Sequence, residues 1–120
     1  MSSAGVFRRV FSGNQRFVTP AITFYFKTSP SINPACSVGF AVSSKHYNAV
    51  ERNYLKRRMR EAKRKSITQI NTVLEKHGLC MDLVMTARGN LGCIRKITLA
   101  DITGDVESFC HHIATNLNKQ

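Results

Sequence analysis

The stretch 49–64 constrains the fold of this chain more than any other part of its sequence. It contains neither glycine nor proline, and most of its residues are good helix formers. Asn48 stands directly before it, where an asparagine side chain can cap the first turn. The stretch therefore predicts a helix that begins near Asn48.

The predicted helix separates apolar from cationic side chains. At about 100° per residue, Leu55, Met59 and Ala62 form a narrow apolar stripe. The cations expected on the opposite side are Arg52, Lys56, Arg60 and Lys63. Beside them we expect Asn53, Arg57 and Arg64. Like charges at helical spacing repel one another, and the stretch holds only Glu51 and Glu61 to offset them. Such a face favours an extended phosphate backbone; the alternative is a solvated basic surface helix.

The charge of the whole chain points to the same class of partner. Its 120 residues, enough for one domain (1–120), include 18 Lys and Arg against 7 Asp and Glu, a formal net charge of +11. This surplus favours nucleic acid first and an anionic membrane surface second. No apolar run approaches the roughly 20 residues of a membrane-spanning helix, and the N-terminus lacks a signal-peptide core. We therefore expect a cytoplasmic protein with no membrane partner.

Neither metal-binding nor catalytic side chains form a recognisable pattern. The cysteines are Cys36, Cys80, Cys93 and Cys110. Their spacing fits no zinc motif, so we expect reduced and mostly buried thiols. The carboxylates are scattered, with Asp82 alone in its strand, whereas two-metal phosphoryl chemistry needs them clustered. We therefore expect no catalytic centre within this chain.

Three segments alternate in the manner of strands. Residues 17–27 are predicted as a strand, in which Ile22, Phe24 and Phe26 face the core and Thr23, Tyr25 and Lys27 the other side. Residues 28–34 are predicted as a loop and residues 35–42 as a second strand. Residues 79–87 are nearly all apolar, which predicts a central strand.

Further helices are expected on both sides of these strands. Val6, Phe7, Val10 and Phe11 have helical spacing near the N-terminus. Residues 66–77 continue the basic helix, but their apolar positions are rotated, so we expect a bend or break near residues 65–68. Gly78 is a suitable stop, and Thr98 with Asp101 forms a capping box for a final, structural helix. The order predicts an α+β domain, α-β-β(-β)-α-β-α, with a mixed sheet covered by helices.

The basic stretch resembles the signature of the bacterial ribonuclease P protein component, broadly Ala-Val-x-Arg-Asn-Arg-x-Lys-Arg-x-x-Arg. The residues that match it in register are Ala49, Val50, Arg52, Asn53, Lys56, Arg57 and Arg60. Tyr54 departs from it, because the family usually has a third basic residue there; an aromatic ring could stack on a base instead. Tyr47 also departs, where a glycine usually precedes Asn48.

The resemblance implies a fold, and it implies different roles for the protein and the RNA subunit. The fold would be ribosomal protein S5 domain 2-like, with a left-handed βαβ crossover in place of the usual right-handed one. The RNA subunit would cut, using Mg²⁺ that the RNA mainly binds. The protein would bind that RNA and precursor tRNA, supporting removal of the 5′ leader, with no obligate protein partner. Asn53 is the one candidate metal contact.

The resemblance also assigns residues to the two RNA partners. Those expected to dock on the RNA subunit are Lys45, Arg52, Asn53, Lys56, Arg57, Arg60, Lys63 and Arg64. Phe7, Phe11 and Tyr25 match aromatics beside the cleft for the single-stranded leader, where stacking tolerates any base sequence. The structural alternative places Phe7 and Phe11 in the core and makes Tyr25 an ordinary half-exposed strand residue.

Two other functions explain the charge. A ribosomal or other structural RNA-binding protein does so equally well, but it does not account for the Phe7 and Phe11 pair together with the basic motif. A DNA-binding repressor would require a helix–turn–helix and usually a dimer interface, and the sequence predicts neither.

Overall fold

The computed structural model of the chain describes residues 15–89, 91 and 94–118. In chain order its elements are β1 (Gln15–Val18), β2 (Ile22–Pro30), β3 (Cys36–Ala41), α1 (Ala49–His77), β4 (Leu79–Ala87), a short 3-10 helix (Ile94–Lys96) and α2 (Leu99–Asn118). The predicted N-terminal helix, with Phe7 and Phe11, lies outside the described residues.

The four strands form one mixed sheet in the order β1-β2-β4-β3. β1 pairs with β2 and β2 with β4 in antiparallel fashion, whereas β3 and β4 are parallel. The predicted central position of β4 is confirmed, and α1 is the crossover that joins the two parallel strands. The α+β class is confirmed as well; the left-handed crossover stays a prediction.

The core lies between one face of the sheet and the two helices. Ile22, Phe24 and Leu83 from the sheet are fully buried there, together with Leu55 of α1 and Phe109 of α2. The alternation predicted for β2 is confirmed, since Phe26 is buried with Ile22 and Phe24. The buried final helix stripe is confirmed too, and its members are Ile102, Val106, Phe109, Ile113 and Leu117.

The opposite face of the sheet, here called the open face, carries none of the helices α1 and α2. Tyr25 and Ala41 pack there against Val84, apart from the main core. The prediction that Val84 points away from Leu83 and Met85 is therefore confirmed. The described helices cover one face only, although Val84 at the centre of the other face is fully buried, so a ligand there would meet the exposed and half-buried side chains around it.

β2 is longer than the sequence predicts. The predicted loop at residues 28–34 is wrong for its first part, because Thr28, Ser29 and Pro30 pair with β4 as far as Leu79. Pro30 is the last residue of the strand, where its missing N–H interrupts no further ladder. Serine and proline resemble a loop in composition, but the antiparallel register with β4 continues through them.

α1 runs unbroken for 29 residues, so a break near residues 65–68, one of the two alternatives predicted there, is wrong. Its buried positions recur every three or four residues and are Leu55, Met59, Ala62, Ser66, Ile70 and Leu74. Ser66, at 3% exposure, occupies the stripe between its two apolar halves. A count of apolar side chains passes over this serine and therefore makes the two halves look rotated.

The predicted helix caps are confirmed. Glu51 N donates to Asn48 Oδ1 at 2.9 Å, and Asn48 N donates to Glu51 Oε1 at 3.0 Å, a reciprocal capping box. Thr98 and Asp101 form the same pair of bonds at the start of α2. Gly78 ends α1 in the left-handed conformation, with φ of 64°.

Two glycine substitutions should change stability in opposite directions. Gly78→Ala places a Cβ in the left-handed region, which costs about 1–2 kcal/mol. Gly104→Ala, within α2, should instead stabilise by about 0.5–1 kcal/mol. An added Cβ at either position meets nothing within 4 Å, so the backbone alone decides the sign. Urea unfolding of both variants at one salt concentration measures this, and equal signs would contradict it.

Candidate nucleic-acid interface

The basic face of α1 begins at the edge of its buried stripe. The exposed members are Asn53, Arg57, Arg60 and Arg64, and the half-buried members are Arg52, Lys56 and Lys63. The prediction that the half-buried three lie opposite the stripe is wrong; they flank it, because the centre of the stripe is set by all six buried positions. Their alkyl stems cover apolar surface while their charged ends reach solvent.

One side of this basic face lies along the outer strand of the sheet. The guanidinium of Arg60 stands 5.9 Å from the ring centroid of Phe40 in β3. Further along, the pKa of the Cys36 thiol is raised to about 12, chiefly by burial, although the nearby ammonium of Lys63 acts to lower it. β3 is an edge strand, so these cations line an edge of the sheet that other molecules can approach.

Internal carboxylates neutralise little of this charge. Glu51 is engaged in the capping box, and Glu61 accepts a bond from Arg64 Nε at 3.1 Å. The hydrogen bond from Arg64 lowers the pKa of Glu61. Among the described residues, Arg52, Lys56, Arg57 and Arg60 form no ion pair. Their charge is therefore available to an external anion, whereas that of Arg64 is partly offset.

Lys45 lies in the turn that leads into α1. Its backbone N–H donates to Ser43 Oγ at 3.1 Å, and its side chain is exposed. The capping box begins at Asn48, so Lys45 stands close to the start of α1. A cation beside the positive end of a helix dipole favours an approaching phosphate, and this position agrees with the predicted one.

The open face carries aromatic and cationic side chains in register. Tyr25 pairs with Arg16 of β1 on one side and Val84 of β4 on the other. Lys27 lies two residues along β2 on the same face, and both Arg16 and Lys27 are exposed. Sequence reasoning missed Arg16, because β1 was not separated from the strand that follows it; its signal is the alternation of Arg16 with the inward-facing Phe17.

The two departures from the family signature contact the same segment of the chain. Tyr47 is buried at 6% exposure, and its hydroxyl donates to the carbonyl of Arg88. Tyr54 donates its hydroxyl to the carbonyl of Ile97 at 3.1 Å. Both tyrosines thus hold the connection between β4 and α2 against the N-terminal half of α1.

The described thiols are free. Cys110 is buried, whereas Cys36 and Cys80 are partly buried, and burial raises the pKa of Cys110 to about 11. Cys93 lies outside the described residues. Within the described ranges no three His, Cys, Asp or Glu side chains are grouped closely enough to hold a metal ion. No helix in that part of the chain is long and apolar enough to cross a membrane.

The family model and the similar solved structures agree on one family. A family model described as Ribonuclease P matches residues 1–114. The fold is similar to that of the RNase P protein from Thermotoga maritima in complex with 1-(4-fluorophenyl)-2-thiourea, with a TM-score of 0.71 and 18% identity over 92% of this chain and 95% of that one. It is also similar to the Staphylococcus aureus RNase P protein, with a TM-score of 0.61 and 24% identity over 90% and 88% of the two chains. No curated protein sequence matches the chain.

Proposed function

Since the chain belongs to the Ribonuclease P family, as the protein subunit of that endoribonuclease, we propose that it binds the catalytic RNA subunit through α1 and the 5′ leader of precursor tRNA through the open face. The reaction supported is hydrolysis of one phosphodiester bond, which releases the leader and leaves the mature 5′ end of the tRNA. The chain itself supplies binding and orientation.

The unneutralised basic face of α1 is the observation that carries this proposal. Arg52, Lys56, Arg57 and Arg60 lie along a single rigid helix and lack ion-pair partners among the described residues. A guanidinium presents donors in a planar fork that matches two phosphate oxygens. A row of such groups at helical spacing suits a folded RNA whose phosphates are fixed in space, better than it suits a mobile strand.

The leader is proposed to lie across the open face. Single-stranded RNA is held by aromatic stacking together with cations that follow its backbone. Tyr25 supplies the ring, and Arg16 and Lys27 stand on the same face within two residues of it in register. Phe7 and Phe11 are proposed as further rings of this site. Stacking recognises every base, which a site for leaders of varied sequence requires.

The Mg²⁺ that the reaction requires is proposed to bind mainly to the RNA subunit. The ions are proposed to be held mainly by RNA phosphates, with Asn53 as the one candidate protein contact near them. When bound, Mg²⁺ would activate the attacking water and stabilise the leaving oxygen. The cations of α1 reduce phosphate repulsion where the RNA must fold tightly, so less Mg²⁺ should be needed.

The test is cleavage of a precursor tRNA by a bacterial ribonuclease P RNA at low magnesium, with and without this protein. We expect the protein to restore cleavage at the mature 5′ end under conditions in which the RNA alone is inactive. Binding of the RNA with unchanged rate and unchanged magnesium dependence would instead indicate a structural RNA-binding protein.

A further inference from the structure

We propose that Tyr54 and Arg58 form a stacked pair that binds a phosphate of the RNA subunit, replacing the basic residue that the family signature usually has at position 54. The proposal rests on the proposed function, and it adds Arg58, which lies outside the signature, to the RNA-binding residues. Arg58 is four residues beyond Tyr54 in α1, so the two side chains are neighbours on one helix face.

The geometry of the pair fixes where the charge of Arg58 stands. The central carbon of its guanidinium lies 3.5 Å from the centroid of the Tyr54 ring, a close cation–π stack. The hydroxyl of Tyr54 donates to the Ile97 carbonyl at 3.1 Å, which anchors the ring at its far end. The positive charge is therefore held over the side chain of residue 54, one helical turn from its own backbone.

Stacking leaves the guanidinium able to bind an anion. The ring covers one face of the cation, whereas the N–H donors lie in the plane of the group and are not covered by the ring. Within the described residues Arg58 is half-buried and forms no ion pair, and its buried Nε–H has no hydrogen-bond partner, so the terminal nitrogens are the donors that an anion would reach. A side chain already held in one orientation also loses less entropy when it binds.

The neighbouring carboxylates do not compete for Arg58. Glu51 is engaged with Asn48 in the capping box, and Glu61 is bonded to Arg64. The adjacent cation toward the exposed face is Arg57, three residues beyond Tyr54, and it is also free of ion pairs among the described residues. An anion at the pair would thus extend the basic face already proposed to dock on the RNA subunit.

The experiment measures binding of a bacterial ribonuclease P RNA at several salt concentrations and fixed magnesium. Each lost phosphate contact should reduce the slope of log affinity against log salt by about one. We expect this for Arg58→Ala, with a roughly tenfold loss of affinity at moderate salt. The exchanged variant, Tyr54→Arg with Arg58→Tyr, should restore both, because it rebuilds the stack with the cation at the position the signature prescribes.

Two further variants separate the possible failures. Lys76→Ala removes one exposed charge from the far end of α1 and should leave the slope unchanged, whereas Arg57→Ala should lower it. If Arg57→Ala lowers the slope but Arg58→Ala behaves as Lys76→Ala does, the stacked pair is not a phosphate site, although the proposed function stands. If neither Arg57→Ala nor Arg58→Ala has an effect, the docking of α1 itself is overturned. Failure of the exchanged variant to restore binding, while its thermal unfolding matches the parent protein, also contradicts the pair.

Discussion

Arg52→Ala combined with Arg57→Ala is expected to abolish the ability of this protein to support precursor tRNA cleavage at low magnesium. Each arginine is proposed to make a charged hydrogen bond with phosphate, and such bonds contribute about 1.5–3 kcal/mol apiece. Losing both should weaken binding to the RNA subunit roughly 100-fold or more. Cleavage rates at the mature 5′ end, titrated with protein at fixed low magnesium, measure the loss.

The matched control removes the same amount of charge from the same helix. Lys65 and Lys76 are both exposed and lie in the C-terminal half of α1, outside the proposed contact residues. Lys65→Ala with Lys76→Ala should keep activity close to that of the parent protein. If the two double variants lose activity equally, net charge alone explains the binding, and the assignment of individual residues on α1 is wrong.

Raising the magnesium concentration should partly rescue the arginine variant, because the RNA then needs less help from protein cations.

The variant that combines Arg52→Ala with Arg57→Ala should retain its fold. Arg57 is exposed and Arg52 is only partly buried, and the Nε–H of Arg52 has no hydrogen-bond partner among the described residues. Removing these side chains therefore breaks no internal hydrogen bond or ion pair of the described structure. A thermal unfolding curve close to that of the parent would assign the lost activity to the interface.

The parts of the fold that follow from local sequence pattern could be predicted. Ile22, Phe24 and Phe26 alternate with polar neighbours, and a period of two admits one assignment of faces. Asn48 with Glu51, and Thr98 with Asp101, satisfy backbone groups within three residues, so their bonds depend on nothing distant. For these elements the sequence and the structure agree.

The elements that were predicted wrongly depend on tertiary contacts. Ser66 is buried because α1 packs along its whole length, a position that composition does not mark. Residues 28–30 join β2 because β4 lies beside them. The half-buried cations of α1 flank the stripe because six buried positions, and not three, determine its centre. For Ser66 and for residues 28–30, a neighbour distant in sequence decides the outcome.

The candidate site also contains some residues that could be predicted from the sequence and others that could not. The motif residues on α1 could be found from the sequence, since one helix presents them at fixed spacing. The hydrogen bond from Tyr54 to Ile97 could not, because 43 residues separate the two positions in the chain. Arg16 joins the open face only through the register of β1 with β2. The structural role of a residue that departs from the signature, such as Tyr54, therefore depends on which residues the fold places beside it.

Phe109→Ala is expected to remove most of the stability of the domain. The Phe109 ring is fully buried and stacks on Phe24 with centroids 4.5 Å apart and planes inclined by 4°. Phe26 meets it edge-on at 5.3 Å, and Phe17 lies 6.1 Å away. Truncating a buried phenylalanine costs about 3–5 kcal/mol, whereas domains of this kind unfold with about 5–15 kcal/mol in total.

The loss should be large because Phe109 joins the final helix to three aromatic rings of the sheet, and all three contacts are lost when it is truncated. Urea unfolding at constant salt measures the change, with Ile32→Ala as control. Ile32 is 96% exposed, so its truncation should alter stability by less than about 0.5 kcal/mol. A cost below about 1 kcal/mol for Phe109→Ala would show that these rings are not closely packed. At temperatures where the variant stays folded, its affinity for RNA should equal that of the parent, because Phe109 is fully buried on the side of the sheet away from the open face.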